Sequence, residues 1–181
     1  MPKITALLPL LRNVSYSAGK GNFKGGLWRS DDARTASESA GWTFLASTQM
    51  AEEFVTAIGV SKEKNPNVVY YGTSDGKVFR IDSANSGTQP QTTEIWTNKG
   101  LPSGYVIRLA VDLTNSAKVV LVFSNYNVRS VWYTTDAGST WADISGNLEQ
   151  NLVGSGNGPS VSWADIVYSG LNPTIYVSTS T

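Results

Sequence analysis

The 181-residue sequence predicts an all-β chain made of repeated four-stranded antiparallel units. Three observations carry that expectation. Runs rich in Val, Ile, Tyr, Trp and Thr alternate with Gly, Asn, Asp and Ser turns along the whole length. Similar phrases recur at just over fifty residues: "FVTAIGVS" from Phe54 and "YVIRLAVD" from Tyr105 lie 51 apart, and "GLWRSDDA", "GKVFRIDS" and "SVWYTTDA" set Trp28, Phe79 and Trp132 in register. The strongest runs, such as "KVVLVF" from Lys118, are apolar throughout rather than alternating, as strands covered on both faces are.

Taken in order, the first unit reads as strands Ile4–Leu10, Val14–Ser17, Gly26–Ser30 and Trp42–Ala46, with Leu7 lying 51 residues before Ile58. The second reads as Val55–Val60, Val68–Gly72, Lys77–Asp82 and Thr93–Thr97; Asp75-Gly76 is a two-residue hairpin signal between its middle strands. The third runs Val106–Val111, Lys118–Ser124, Ser130–Thr135 and Thr140–Ile144, and a fourth opens with Trp163–Tyr168 and Thr174–Thr179. "MAEEFVTAIG" has mild helical character, which the repeat overrides. Four antiparallel strands at this period are the signature of a β-propeller blade. The expected division is a partial propeller over 1–181 with blades at about 1–50, 51–101, 102–158 and an incomplete one at 159–181, about 3.5 blades in all. An incomplete arc exposes apolar faces and open edges, so further blades are expected from a longer polypeptide or a second chain.

Composition narrows the chemistry. With no Cys and no His, the chain lacks disulfides, thiolates, the commonest general base and the commonest metal ligand. No cofactor and no metal is expected. Fourteen basic against fourteen acidic residues leave a formal net charge of zero and no basic footprint for nucleic acid. No apolar run approaches the roughly 18 residues a membrane span needs. The N-terminal "MPKITALLPLLRNVSYSAG" has a faint signal-peptide pattern, but Pro9 interrupts a short apolar run and the repeat makes it a strand. Asn13-Val14-Ser15 fits the common N-glycosylation pattern.

"VWYTTDAGSTWADIS" holds the sharpest motif: Thr134, Asp136, Gly138, Thr140 and Trp141. This run resembles the Asp-box of sialidase-type (BNR) repeats, S/T-x-D-x-G-x-T/S-W/F, and matches at every defined position. Ser30, Asp32 and Gly41-Trp42 form a broken copy, and the second unit keeps only Asp82 and a distant Trp96. Similar repeats occur in sortilin-type and xyloglucanase-type propellers and in large secreted bacterial proteins. The resemblance implies a propeller, an extracellular or cell-surface location, and a motif turn lying away from any substrate site. The physics of the motif is structural: Asp bonds the amides of its own turn, Gly supplies positive φ, and Trp buries a ring as the next strand starts.

Catalytic residues are not identifiable. Asp31-Asp32 and Glu52-Glu53 are adjacent, so on a strand each pair points to opposite faces. Arg12, Arg29, Arg34, Arg80, Arg108 and Arg129 are present, but none lies in a motif that marks a carboxylate-binding set. One repeat column aligns Ala57, Arg108 and Asp165 on the innermost strands. Arg108 and Asp165 are thereby candidates for an inter-blade ion pair or for a ligand site at the channel mouth. Loops between second and third strands and between blades share one rim, and carry Lys20, Phe23, Lys24, Tyr126, Arg129 and Glu149. Exposed aromatics with nearby Arg suit contact with a protein or glycan. The expected function is a non-enzymatic scaffold or interaction module binding protein or carbohydrate through rim loops; the alternative is part of a propeller glycoside hydrolase.

Overall fold

The computed structural model describes residues 6–9, 25–35, 37, 40–50, 52–63, 67–124, 126–149, 158–169 and 172–180. Among the described residues, thirteen strands form four antiparallel sheets, each with its strands side by side in chain order. The first holds β1 (Ala6–Pro9), β2 (Gly25–Ser30) and β3 (Thr43–Met50). The second holds β4 (Val55–Val60), β5 (Val69–Thr73), β6 (Val78–Ile81) and β7 (Thr92–Glu94). The third holds β8 (Val106–Val111), β9 (Val119–Phe123), β10 (Val131–Thr134) and β11 (Ala142–Asp143), and the fourth β12 (Val161–Ser169) and β13 (Asn172–Thr179). Among the described residues the only helical segments are 3-10 turns at Ala33–Thr35 and Gly146–Leu148; from Glu52 the chain runs straight into β4, so the helical character of that phrase is not realised.

The sheets stack face to face in sequence, with β1 beside β4, β4 beside β8 and β8 beside β12. Three apolar layers fill the gaps. Leu27 and Leu45 meet Val69, Tyr71 and Ile81; Val68, Tyr70 and Val78 meet Leu109, Leu121 and Phe123; Val120, Val122 and Val131 meet Ala164 and Ile166. Every residue of β5 and of β9 is buried, because neighbouring sheets cover both of their faces. That is the physical origin of the unbroken apolar runs, and each such Val or Leu contributes about 1.5–3 kcal/mol. Tyr70 crosses its layer to donate its hydroxyl to the Ser116 carbonyl at 2.7 Å, and burial pushes its phenol up to about 12.

Three sheets repeat one construction in detail. A bulge interrupts the inner pair between Val55 and Ala57, between Val106 and Arg108, and between Val161 and Trp163. One residue before each inner strand, the carbonyls of Phe54, Tyr105 and Ser160 accept the amides of Ser74, Ser124 and Ser180 at 3.2, 3.1 and 2.9 Å. At the far end, Ser61 and Asp112 occupy the same place, and their side chains accept the amides of Glu63 and Thr114.

Four expectations change. Gly25–Ser30 pairs directly with β1 and takes the second place in its sheet, not the third, while Thr43–Met50 takes the third. Trp28 is therefore not the counterpart of Phe79 and Trp132, and the expected strand Val14–Ser17 lies outside the described residues, as do Asn13 and the leader-like segment's residues 1–5 and 10–19. The β5–β6 hairpin uses three residues, not two: the Gly76 amide bonds the Thr73 carbonyl and the Thr73 amide bonds the Lys77 carbonyl, a type I turn completed by Gly76 at φ +89°. The fourth strands are short, at Thr92–Glu94 and Ala142–Asp143, because the motif side chains hold Thr140 and Trp141 ahead of the ladder in the third sheet. The bulge register replaces the column Ala57, Arg108, Asp165 by Ala57, Arg108, Trp163. The two alignments differ by two residues, and a two-residue slip preserves strand alternation, so the apolar pattern alone does not separate them.

Candidate functional site

The motif of Thr134 to Trp141 joins β10 to β11, the third and fourth strands of its sheet. Asp136 is its centre. One carboxylate oxygen accepts the Thr134 hydroxyl at 2.8 Å and the Thr140 amide at 2.8 Å; the other accepts the Thr140 hydroxyl at 2.6 Å. The Thr134 hydroxyl oxygen in turn accepts the amides of Asp136 and Gly138. The Thr140 hydroxyl and amide hold the Asp136 carboxyl down to about 2. Gly138 has φ +85°, and a Cβ there would stand 2.6 Å from the Ile95 methyl. Trp141 is buried, and its indole donates to the Ile95 carbonyl at 2.9 Å. Lys99 donates to the Ser139 carbonyl at 2.7 Å. The turn thus locks itself and also clamps the third sheet onto the end of the second.

The second unit keeps two backbone bonds of this turn but not its conformation, since Ala84 and Asn85 lack the positive φ of Ala137 and Gly138. Ala84 and Ala137 donate to Asn67 and Ala117 across the sheet, and Ser86 and Ser139 donate back to Ser83 and Asp136. Ser83, not Asp82, stands at the place of Asp136; Asp82 is ion-paired with Arg80. The first copy does not form. Asp32 accepts the Arg34 amide and guanidinium, Ser30 is buried at the end of β2, and half-buried Trp42 is too distant in sequence for the Asp32 turn to reach.

Asp136→Ala removes a surface carboxylate with three bonds, and thermal melts should show a loss of about 1–2 kcal/mol at neutral pH. An unchanged melting point contradicts the structural role. The pH sign is fixed by the depressed value. An unfolded Asp titrates near ~4, so the contribution is present above that pH and disappears between about 4 and 2. Wild type and variant should converge in stability as acid is added over that window.

The inner strands form the second candidate. Ile58, Val60, Lys62, Arg108, Leu113 and Asp165 are among the residues lining a groove of about 540 Å³ along β4, β8 and β12. Arg108 and Asp165 both face it, but no ion pair forms between them: the ion pairs among the described residues are Arg29–Asp31, Arg34–Asp32, Lys77–Glu53, Arg80–Asp82 and Arg129–Asp143. The Arg108 guanidinium donates instead to the Ala164 carbonyl at 3.1 Å and stacks 3.7 Å from the Trp163 ring centre. Burial lowers its pKa, an effect the Asp165 charge partly offsets. Asp165 bonds the next amide, Ile166. Trp163 is half exposed at 51% and carries the level above Arg108; sequence alignment missed it because the bulge hides the register.

The rim residues divide. Tyr126 is exposed at 66%. Arg129 is not a free rim cation, since Asp143 pairs with its guanidinium and its carbonyl accepts the Trp132 indole. Glu149 is buried, accepting the Ser130 amide and hydroxyl at 3.1 Å, because it holds the chain leaving β11 against the β9–β10 connection. Phe23, Lys24 and Lys20 lie outside the described residues. Of the adjacent acids, Asp31 and Asp32 pair with Arg29 and Arg34, and Glu53 with Lys77. Among the described residues no cluster of three acidic side chains is placed to hold a metal, and no helix is long and apolar enough to cross a membrane. No family model, no curated protein and no solved structure matches this chain.

Proposed function

We propose that the four sheets are successive blades of a β-propeller, and that the chain is a non-enzymatic binding scaffold of a secreted or cell-surface protein, taking a protein or carbohydrate ligand. The observation that supports it best is the recurrence, in three consecutive sheets, of one bulge and one Ser-amide bond at the inner strand. Face-to-face stacking of four-stranded antiparallel sheets, with inner strands side by side, is how blades surround a channel. The groove along those strands and exposed Tyr126 on a connecting loop are the surfaces a ligand would meet. A binding role fits the carboxylates better than hydrolysis does. Asp31, Asp32, Glu53, Asp82 and Asp143 pair with cations, and Asp112, Asp136 and Glu149 bond their surrounding amides.

The alternative, part of a propeller glycoside hydrolase, requires two carboxyls facing each other roughly 5 to 9.5 Å apart. Affinity electrophoresis against a panel of polysaccharides, with reducing ends measured in parallel, separates the readings. Retention of the chain without release of reducing ends is expected. Release that disappears in an Asp165→Asn variant overturns the scaffold reading.

A further inference from the structure

The groove along the inner strands holds two opposite charges that do not meet. Its floor is β8, which lies between β4 and β12. Arg108 is half-buried there, and burial lowers its pKa. A guanidinium taken out of water is ordinarily matched by a carboxylate. Arg108 is not. Its Nε donates to the Ala164 carbonyl at 3.1 Å, the Trp163 ring centre lies 3.7 Å from its Cζ, and its two terminal nitrogens bond no described residue. Asp165 spends Oδ1 on the Ile166 amide at 2.9 Å, and its other oxygen bonds no described residue. Each side chain is thus tied to the backbone of β12 instead of to the other. The remaining charged residues of the groove, Lys62 and Asp112, lie past the ends of β4 and β8, and Asp112 accepts the amides of Thr114 and Asn115. Between these ends the lining is apolar, with Val60 and Leu113 exposed.

We propose that this groove binds a small zwitterion with an apolar body, an apolar α-amino acid or a short apolar peptide, its carboxylate on Arg108 and its ammonium on Asp165. The unspent guanidinium N–H groups suit a carboxylate, which accepts two of them at once. The free Asp165 oxygen accepts from the ammonium. The same pair selects by repulsion: Asp165 disfavours a simple anion and Arg108 a simple cation, so a ligand carrying both charges is the one that meets neither penalty. A neutral ligand leaves the half-buried guanidinium unmatched. Val60 and Leu113 supply apolar contact for the ligand's side chain, and about 540 Å³ is room enough for it. The inference rests on the reading of this groove as a ligand surface, not on the sheets being blades.

Calorimetric titration of the full chain tests it, with leucine and leucyl-leucine as probes. Both should bind, and the tighter of the two decides between a free amino acid and a peptide. N-acetyl-leucine lacks the ammonium, leucinamide lacks the carboxylate and glycine lacks the apolar body; each should bind about tenfold or more weakly than leucine. The ligand series needs no variant, so a folding defect cannot imitate it. Asp165→Asn keeps an acceptor for the Ile166 amide and should bring N-acetyl-leucine and leucine to similar affinity, because the repulsion of a plain anion is gone. Arg108→Gln, with its melting curve checked, should abolish leucine binding. No binding of leucine or leucyl-leucine at about 10 mM overturns the proposal. Equal binding of leucine, N-acetyl-leucine and leucinamide overturns it too, as does leucine binding that survives Arg108→Gln unchanged. A polysaccharide retained by a chain that ignores leucine would sink this inference and leave the scaffold reading standing; leucine bound by a chain that releases reducing ends would do the reverse.

Discussion

Trp141→Ala should lower the unfolding free energy by about 3–5 kcal/mol, the range for truncating a large buried aromatic, and drop the melting temperature by roughly 10 °C. The cost has two sources. The ring is a member of the apolar layer between the second and third sheets, with Tyr70, Val78, Ile95, Leu121 and Trp132. Its indole is also the donor for the Ile95 carbonyl at 2.9 Å, in a buried setting. Removing it opens a cavity and strands an acceptor at the same place. Trp141→Phe separates the two: the ring is largely kept and the bond lost, so about 1–2 kcal/mol should go. A Trp141→Ala melting point within about 2 °C of wild type would show that the sheets do not depend on this contact.

The same motif shows how far sequence alone reaches. Thr134, Asp136, Gly138, Thr140 and Trp141 were legible as one turn because each residue type does a separate job at fixed spacing, and the bonds around Asp136 are the expected ones. Its inter-sheet role was not legible. The partner, Ile95, is 46 residues earlier and belongs to no motif. The second unit's turn was hidden for a different reason: it shares with the motif only the backbone bonds of Ala84 and Ser86, which leave no mark on residue identity. Repeat spacing placed β4 and β8 well, since Val55–Val60 and Val106–Val111 keep both length and bulge. It misplaced the level of β12 because alternation is blind to a slip of two residues. Arg108 was found by its place on an inner strand, and its contact with Trp163 was lost with the register. Glu149 looked like a solvated loop acid, and only the folded path of the chain buries it against Ser130.

Arg29 ties two sheets together and carried no sequence signal. It sits in "WRSDDA", beside two acids and in no motif that marked it. In the fold its side chain is only 7% exposed. One guanidinium nitrogen donates to the Ala84 carbonyl at 2.9 Å and to the Gly87 carbonyl at 3.1 Å, and another reaches Asp31 at 3.3 Å. Ala84 and Gly87 belong to the turn that replaces the motif in the second sheet, so Arg29 ties the first sheet to the second where a Trp ties the second to the third. Arg29→Ala should therefore cost about 3 kcal/mol, because two carbonyls of another sheet lose a charged donor in a buried site. Arg29→Lys should recover only part of this, since an ammonium presents no planar fork to acceptors on two sides. Urea melts of the two variants provide the measurement. Equal stability of Arg29→Ala and wild type would mean that the first sheet docks through Leu27 and Leu45 alone. A larger loss in Arg29→Ala than in Arg29→Lys, with unchanged salt dependence, would identify the buried carbonyl bonds rather than the exposed Asp31 pair as the source.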